Sequence, residues 1–444
     1  MEYHEWAATT HRYAASLVLR RLDLRGAGLD LRDRLPRPSQ AGERPLAAVQ
    51  AIIADVRERG DDAVRELTKR FDGADLDDLR VADEAIVAAR DRIPKDLTHA
   101  LETAHDNIRA YHETQITHEV VHGRDGVVVR DLRRPVDRAG LYVPGGRASY
   151  PSTVLMTAVP ARVAGVPEVA LCVPPRADGS VPDEVLAAAS VAGVDEVYRV
   201  GGAQAIAAMA FGTASIRPVD VIVGPGNIYV ALAKREVAGV VGIPSAFAGP
   251  SEVVVIADGS APVTFAAVDV ILQAEHGPDG LAWLVTWDEQ VADAVCEEVT
   301  RLVAASPRRA EIESTLADGG YAVVCDSPEQ AMAVANAIAP EHLELQTADP
   351  EALLPLVRHA GAVFCGPWAP ASVGDYIAGP NHVLPTNGSA RFSEALRVDD
   401  FVKHVHVVTL DEDALARLAP DVIALAEAEG LAAHAESIRV RGRS

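Results

Sequence analysis

The chain has 444 residues, 49% of them hydrophobic, and a formal net charge of −23. This length exceeds what one ordinary core fills and predicts two or more domains. The acidic balance argues against a nucleic-acid or anionic-membrane binder, since both need a cationic face. The basic ending RVRGRS is short and reads as a frayed tail. Cys172, Cys296, Cys325 and Cys365 lie far apart, form no CxxC pair, and in part sit in strand-like runs such as ALCVPP and AVFCG. They read as buried free thiols of a reducing, cytoplasmic compartment. No apolar run approaches the length of a membrane span.

In chain order, MEYHEWAATTHRYAASLVLRRLDLRG is acidic at its start and lacks a basic region followed by an apolar core, so it does not read as a secretory signal. Residues 1–17 read as a mobile arm or the product of an upstream start codon. From about 44 to 115 the pattern is helical: LAAVQAIIADVRERGDDAVRELTKRFDG has apolar residues three and four apart, broken by Gly60 and ended by Gly73. DGVVVRDLRRPVDRAGLYVPGG reads as strands joined by a turn.

A strict alternation follows. AGLYV, EVALCVP, EVYRV and DVIVG are strands; PSTVLMTAVPARVAG, DEVLAAASVAG, AQAIAAMAFG and NIYVALAKREVAG are the helices between and after them. A second run has strands SEVVVIAD, LAWLVT, YAVVC, HLELQ and GAVFCG, with helices expected at 262–276, 288–318, 327–338 and 350–359. Strand–helix alternation with short Gly/Pro connections predicts an α/β protein with parallel sheets covered on both faces. Two runs of similar texture suggest two Rossmann-like units, with one large sheet the weaker alternative. From RFSEALRVDDF onward a shorter mixed piece ends in a helix.

Three Gly-rich loops, YVPGGRASYPS, VGGAQ and VGPGN, each follow a strand and open a helix, where backbone N–H groups could cradle phosphates. None matches GxGxxG with an acidic residue about 20 positions on, and all three serve equally as tight βα turns. Polar clusters are more specific. Gln273 and His276 of ILQAEHGPDG share a helix face; Glu341 and His342 adjoin in APEHLEL; Asp375 and His382 share VGDYIAGPNHVLPT; Glu429 and His434 share AEAEGLAAHAES. A lone buried histidine is more often a satisfied core residue, but four such clusters at element ends point to a site. His and Asp suit a borderline cation such as Zn²⁺, and the lack of a Cys cluster points to a catalytic metal rather than a structural one. Spacing does not say which residues share one metal, and Gln273, an amide, would not be chosen on chemistry alone.

Together, GLYVPGG, VGGAQAIAAMAFGT, VGPGN, GPSEV, QAEHGPD, APEHLE, GDYIAGPNHVLPT and GLAAHAESIRVR closely resemble the histidinol dehydrogenase family from about residue 18 to 440. The resemblance implies a zinc-dependent homodimer that oxidises L-histidinol to L-histidine with two NAD⁺, through the aldehyde L-histidinal held on the enzyme. It implies one Zn²⁺ per subunit held by Gln273, His276, Asp375 and His434, and Glu341 and His342 as proton acceptors. Substrate would meet Ser251, Gln273, His276, His342, Asp375, His382, Glu429 and His434; NAD would meet Tyr142, Gln204 and Asn227. The expected domains are 1–40, an N-terminal arm and helical piece; 41–141 with 252–390, a first α/β domain carrying the catalytic and metal site; 142–251, a second with the NAD-contacting loops; and 391–444, a C-terminal domain reaching the partner subunit. Ala371 in WAPASVGDY departs from the family pattern, where many relatives carry Glu; this bears on any acid at that position and not on the metal set. The alternatives are a paralogous zinc- and NAD-dependent dehydrogenase of another small polar alcohol, a non-redox metal enzyme, and a catalytically dead binding protein. His382 and Glu429 speak against the first, and the presence of both Glu341 and His342 against the last.

Overall fold

The computed structural model describes residues 18–32, 34–36, 45–145, 149–244, 251–277 and 280–442. The expected arm at 1–17 lies outside them. In chain order the strands are β1 (Arg20–Asp23), β2 (Val120–Arg124), β3 (Val127–Pro135), β4 (Arg138–Tyr142), β5 (Glu168–Val173), β6 (Glu196–Arg199), β7 (Val221–Val223), β8 (Glu252–Ala257), β9 (Leu281–Thr286), β10 (Gly320–Val324), β11 (His342–Gln346), β12 (Ala362–Cys365) and β13 (Val402–Leu410). They form a six-stranded sheet in the order β1-β10-β9-β8-β11-β12, a four-stranded sheet β6-β5-β4-β7 and a ribbon β13-β3-β2. The first two are parallel throughout and the ribbon is antiparallel. Two separate parallel sheets therefore replace the single-sheet alternative.

The sequence explains this layering. EVVVIA of β8 is buried along its whole length, as an interior parallel strand must be when both faces are covered. Val253, Val255 and Ala257 pack with Ala266, Val270, Val295 and Val299 of the helices on one face; Val254 and Ile256 pack with Met332, Val334 and Ile338 of the helix on the other. Alternation along the strand thus feeds two cores from one segment. Cys172, Cys296 and Cys325 are buried free thiols, and Cys365 is half-buried.

Three features differ from the sequence reading. The described part of 1–40 contributes a strand rather than a helix: β1 pairs with β10 at the edge of the large sheet. Helices Leu46–Arg59 and Asp61–Asp72 pack on the small sheet, not the large one; Val49, Ile53, Val56, Val64 and Leu67 join Ala170, Cys172, Ile206 and Val230 in one cluster. β4, also within 41–141, sits in the middle of that small sheet. The physical reason is coverage: without these two helices one face of β4 and β5 would be only partly shielded from water. Finally, the helix expected over 350–359 is a single 3₁₀ turn, Leu354–Leu356. Pro355 brings no N–H and its ring clashes with the carbonyl four residues back, which disfavours an α-helix through so short a segment. Among the described residues no helix is long and apolar enough to cross a membrane.

Candidate active site

The carboxyl ends of the small sheet open onto a groove of about 1080 Å³. Its walls include the loops after β4, β5, β6 and β7, the usual ligand side of a parallel sheet. Tyr142, Gln204 and Asn227, drawn from the three Gly-rich loops, all line it. Tyr142 ends β4, and its hydroxyl accepts from the Gly202 N–H at 3.1 Å. Gln204 is 1% exposed, and its amide nitrogen is buried without a hydrogen-bond partner, a donor awaiting an acceptor. Asn227 caps helix Ile228–Val237, its Oδ1 accepting from Tyr229 N at 3.0 Å and Val230 N at 3.2 Å. The groove depends on one close approach: Gly224 has φ +108°, and a Cβ there would sit 2.0 Å from the Tyr142 carbonyl oxygen. Gly224→Ala is expected to cost at least about 2 kcal/mol through strain and displaced backbone. A thermal melt checks this; an unchanged midpoint would mean that the loop yields freely.

Three of the four polar clusters gather elsewhere, at the amino ends of the large sheet. This is the opposite side from the one that the general rule for parallel sheets favours. His342 opens β11 and Glu252 opens β8. Ser251 precedes Glu252, its carbonyl accepting from Leu281 N–H at 3.2 Å. Gln273–His276 is a 3₁₀ turn continuing helix Val263–Leu272, so residues 273 and 276 eclipse on one side. Asp375 lies in helix Ala371–Tyr376, and Gly374 lets that helix close on Phe364, whose ring would lie 2.5 Å from a Cβ there. The Phe364 ring in turn stacks on His342, with centroids 6.0 Å apart.

His342 is held from both sides. Its Nδ1 lies 3.1 Å from the Glu252 carbonyl oxygen and its Nε2 3.0 Å from Asp375 Oδ1. Glu341 Oε2 is 3.6 Å from Nδ1 and accepts from Glu252 N–H at 3.1 Å. Ala339, just upstream, has φ 56°, a left-handed turn rare for a residue with a side chain, and it swings Glu341 and His342 into place. Gln273 Nε2 donates to Asp375 Oδ2 at 3.0 Å. His382 Nδ1 donates to the Asp375 carbonyl at 2.7 Å, leaving Nε2 to accept from Thr153 Oγ1 at 3.2 Å. That pattern fits a neutral ring, and burial lowers its pKa.

Electrostatics separate Glu341 from His342. Burial pushes the Glu341 carboxyl up to about 7. For His342 burial acts downward, but the Glu341 and Asp375 carboxylates outweigh it and raise the ring to about 9. Burial opposes charge on Asp375 too, yet His342 holds it below the usual carboxylate range. Burial depresses His276, which keeps a lone pair available.

Gln273, His276 and Asp375 line one cavity of about 580 Å³, with Tyr150 and Tyr376; Asp375 and His382 line an adjoining one of about 620 Å³. Ser149 lines both the first of these and the groove at the small sheet. Glu429 and His434 are not brought to them. They stand exposed on the C-terminal helices Glu412–Ala428 and Ala432–Arg439, where Glu429 is the C-cap of the first. Among the described residues of one chain, no three His, Cys, Asp or Glu side chains gather as a metal site. Two participants escaped the sequence reading: the Glu252 carbonyl, which carries no side-chain signal, and Thr153, one of many threonines near a helix start.

A groove at the carboxyl ends of a parallel sheet, sharing Ser149 with a cavity whose Asp375 holds the buried His342, is a layout compatible with an α/β oxidoreductase. The model of the family "Histidinol dehydrogenase" matches residues 35–442. A histidinol dehydrogenase of a Synechococcus species is 52% identical over 401 residues, covering 90% of this chain and 92% of the relative. One from Moorella thermoacetica is 50% identical over 404 residues, covering 90% and 95%. The crystal structure of histidinol dehydrogenase from Elizabethkingia anophelis superposes with a TM-score of 0.92 at 35% identity, covering 98% of this chain and 99% of that one. The chain belongs to the histidinol dehydrogenase family, whose members are NAD-dependent oxidoreductases.

Proposed function

We propose that this chain oxidises L-histidinol to L-histidine by way of L-histidinal, reducing two NAD⁺. The observation that carries the reading is the buried pair Glu341–His342, oriented by Glu252 and Asp375 beside a cavity that shares Ser149 with the groove. His342 Nε2 meets Asp375 here, and the carboxylates favour the charged ring; with Asp375 engaged by a metal instead, the ring would be neutral, the Glu252 carbonyl would hold its proton on Nδ1, and Nε2 would be the atom that accepts the alcohol proton. As that proton leaves, the carbinol carbon gives up a hydride toward the groove and the aldehyde remains. The second oxidation needs water added to the aldehyde. Glu341, about half-ionised near pH 7, takes the proton of that water, and the hydrate then loses the second hydride. Tyr142, Gln204 and Asn227 are the residues proposed to meet the dinucleotide, and Ser251, His382 and Glu429 to meet substrate together with the metal-facing side chains.

The donors present suit a zinc ion. Gln273, His276 and Asp375 face one cavity, His276 keeps a lone pair, and Gln273 can turn its amide oxygen where its nitrogen now meets Asp375. Bound there, zinc would supply a Lewis acid for the nitrogen atoms of the substrate and would draw Asp375's charge away from His342, favouring its neutral form. Three donors leave one position for His434, which the exposure of the C-terminal helices suits if it comes from the partner subunit of a homodimer.

One assay tests the whole reading: purified protein with L-histidinol and NAD⁺, following NADH and histidine. Two NADH per histidine are expected, lost with a strong chelator and regained with Zn²⁺, while His276→Ala should not recover. Full turnover in metal-free protein would remove zinc from the account, and no NADH from zinc-loaded protein would remove the reaction.

A further inference from the structure

The groove holds a second unsatisfied polar atom. Asp72 ends helix Asp61–Asp72 and lines the groove, and its Oδ2 is buried with no hydrogen-bond partner. Burial pushes this carboxyl up to about 6, with no cation among the causes of the shift. A buried acceptor left without a donor is costly, and a ligand in the groove that Asp72 lines can supply the donor. The buried amide nitrogen of Gln204 is the matching donor in the same walls. Together they make the groove a place for a ligand that both gives and accepts hydrogen bonds.

Position says which part of the ligand this is. Ser149 is common to the groove and the Gln273–His276–Asp375 cavity, so the end that receives hydride lies on the Ser149 side. Asp72 stands on a wall built by helix Asp61–Asp72, which contributes nothing to that cavity. Arg70 and Arg176 also line the groove and offer cations for a pyrophosphate. What remains for Asp72 is a sugar with neighbouring hydroxyls. In dinucleotide folds generally, an acidic side chain accepts from the ribose 2′-OH, and a 2′-phosphate meets it as like charge. No glycine fingerprint announces such an acid here, because Asp72 comes from a helix 70 residues before Tyr142 rather than from the following strand.

Resting on the reading of this groove as the NAD site, we propose that Asp72 selects the unphosphorylated dinucleotide. Its carboxylate accepts from the adenosine ribose hydroxyls and repels a 2′-phosphate at that position.

The test is equilibrium binding of NADH and NADPH to the full-length protein by titration calorimetry, in wild type, Asp72→Asn, Asp72→Ser and Gln204→Ala. Losing a charged acceptor should weaken NADH about 10-fold or more while leaving NADPH equal or tighter, so the preference for NADH collapses. Gln204→Ala should weaken both ligands together. If Gln204→Ala weakens binding and neither Asp72 variant alters the NADH-to-NADPH ratio, the inference is overturned and the groove reading survives. If none of the three variants affects NADH, the groove is not the NAD site and both fall. The serine variant guards against a folding defect in the asparagine one, and thermal melts accompany each. Equal weakening of both ligands by the Asp72 variants would leave only a structural role and would also overturn the inference.

Discussion

Asp375→Ala and His434→Ala subunits, each inactive alone, are expected to regain about a quarter of wild-type activity per total site when unfolded and refolded together. The expectation follows from where the side chains stand. Gln273, His276 and Asp375 meet in one cavity of a single chain, whereas Glu429 and His434 are exposed on its C-terminal helices. If those helices complete the site of the other subunit, a mixed dimer has one site with both lesions and one with neither. Random pairing makes half the dimers mixed, and half the sites in those are intact. If each tail serves its own chain, every site keeps one lesion and the mixture stays dead. Failure to regain activity, with mixed dimers demonstrated by mass, would refute the crossed arrangement.

Glu341→Gln should separate the two oxidations. With histidinal supplied directly, the rate should fall by about 10²–10⁴, the usual worth of a general base. The histidinol-to-histidinal step should fall much less if, as proposed, His342 takes that proton. Glutamine keeps an oxygen to accept the Glu252 N–H, so the loop has no cause to move. The pH dependence gives an independent check. Glu341 is a base only when ionised, and burial raises its pKa to about 7. Aldehyde oxidation should therefore climb as pH rises through about 7 and level off above it, and Glu341→Gln should flatten that climb. Equal losses on both substrates, with the climb intact, would reduce Glu341 to a residue that merely orients His342.

Local chemistry made much of this legible in the sequence. Strand–helix alternation predicted both parallel sheets, since a buried strand such as EVVVIA and a turn such as VGPGN carry their own signals. The spacing of Gln273 and His276 and the adjacency of Glu341 and His342 survive as contacts or shared walls. What failed depended on distant partners. Helices Leu46–Arg59 and Asp61–Asp72 are amphipathic whichever sheet they cover, so their pattern does not say that they cover the small one. What surrounds the strand end at Glu341 and His342 is likewise silent in sequence. Pattern gives the strand HLELQ with His342 at its start, but not that this end lies beside the Glu252 carbonyl, 90 residues away. Asp72 carries no signal of its own in the sequence beyond preceding the Gly73 stop, until the groove beside it is seen.

The pairing of β1 with β10 also bears on how the chain is made. A ribosome delivers Arg20–Asp23 early, but the strand it must join, Gly320–Val324, emerges about 300 residues later, roughly 15–60 s at ordinary rates of synthesis. The four strands of the small sheet lie between Arg138 and Val223, and the helices before them cover it, so that unit can close on the nascent chain first. Arg20–Asp23 then has to wait unpaired beside an already folded neighbour. The large sheet, and with it the floor under Glu341 and His342, is completed only after synthesis passes β12. Such long-range closure slows folding, so assembly of the sheet beneath Glu341 and His342, and not of the groove at the small sheet, is expected to be the late step in this protein's biogenesis.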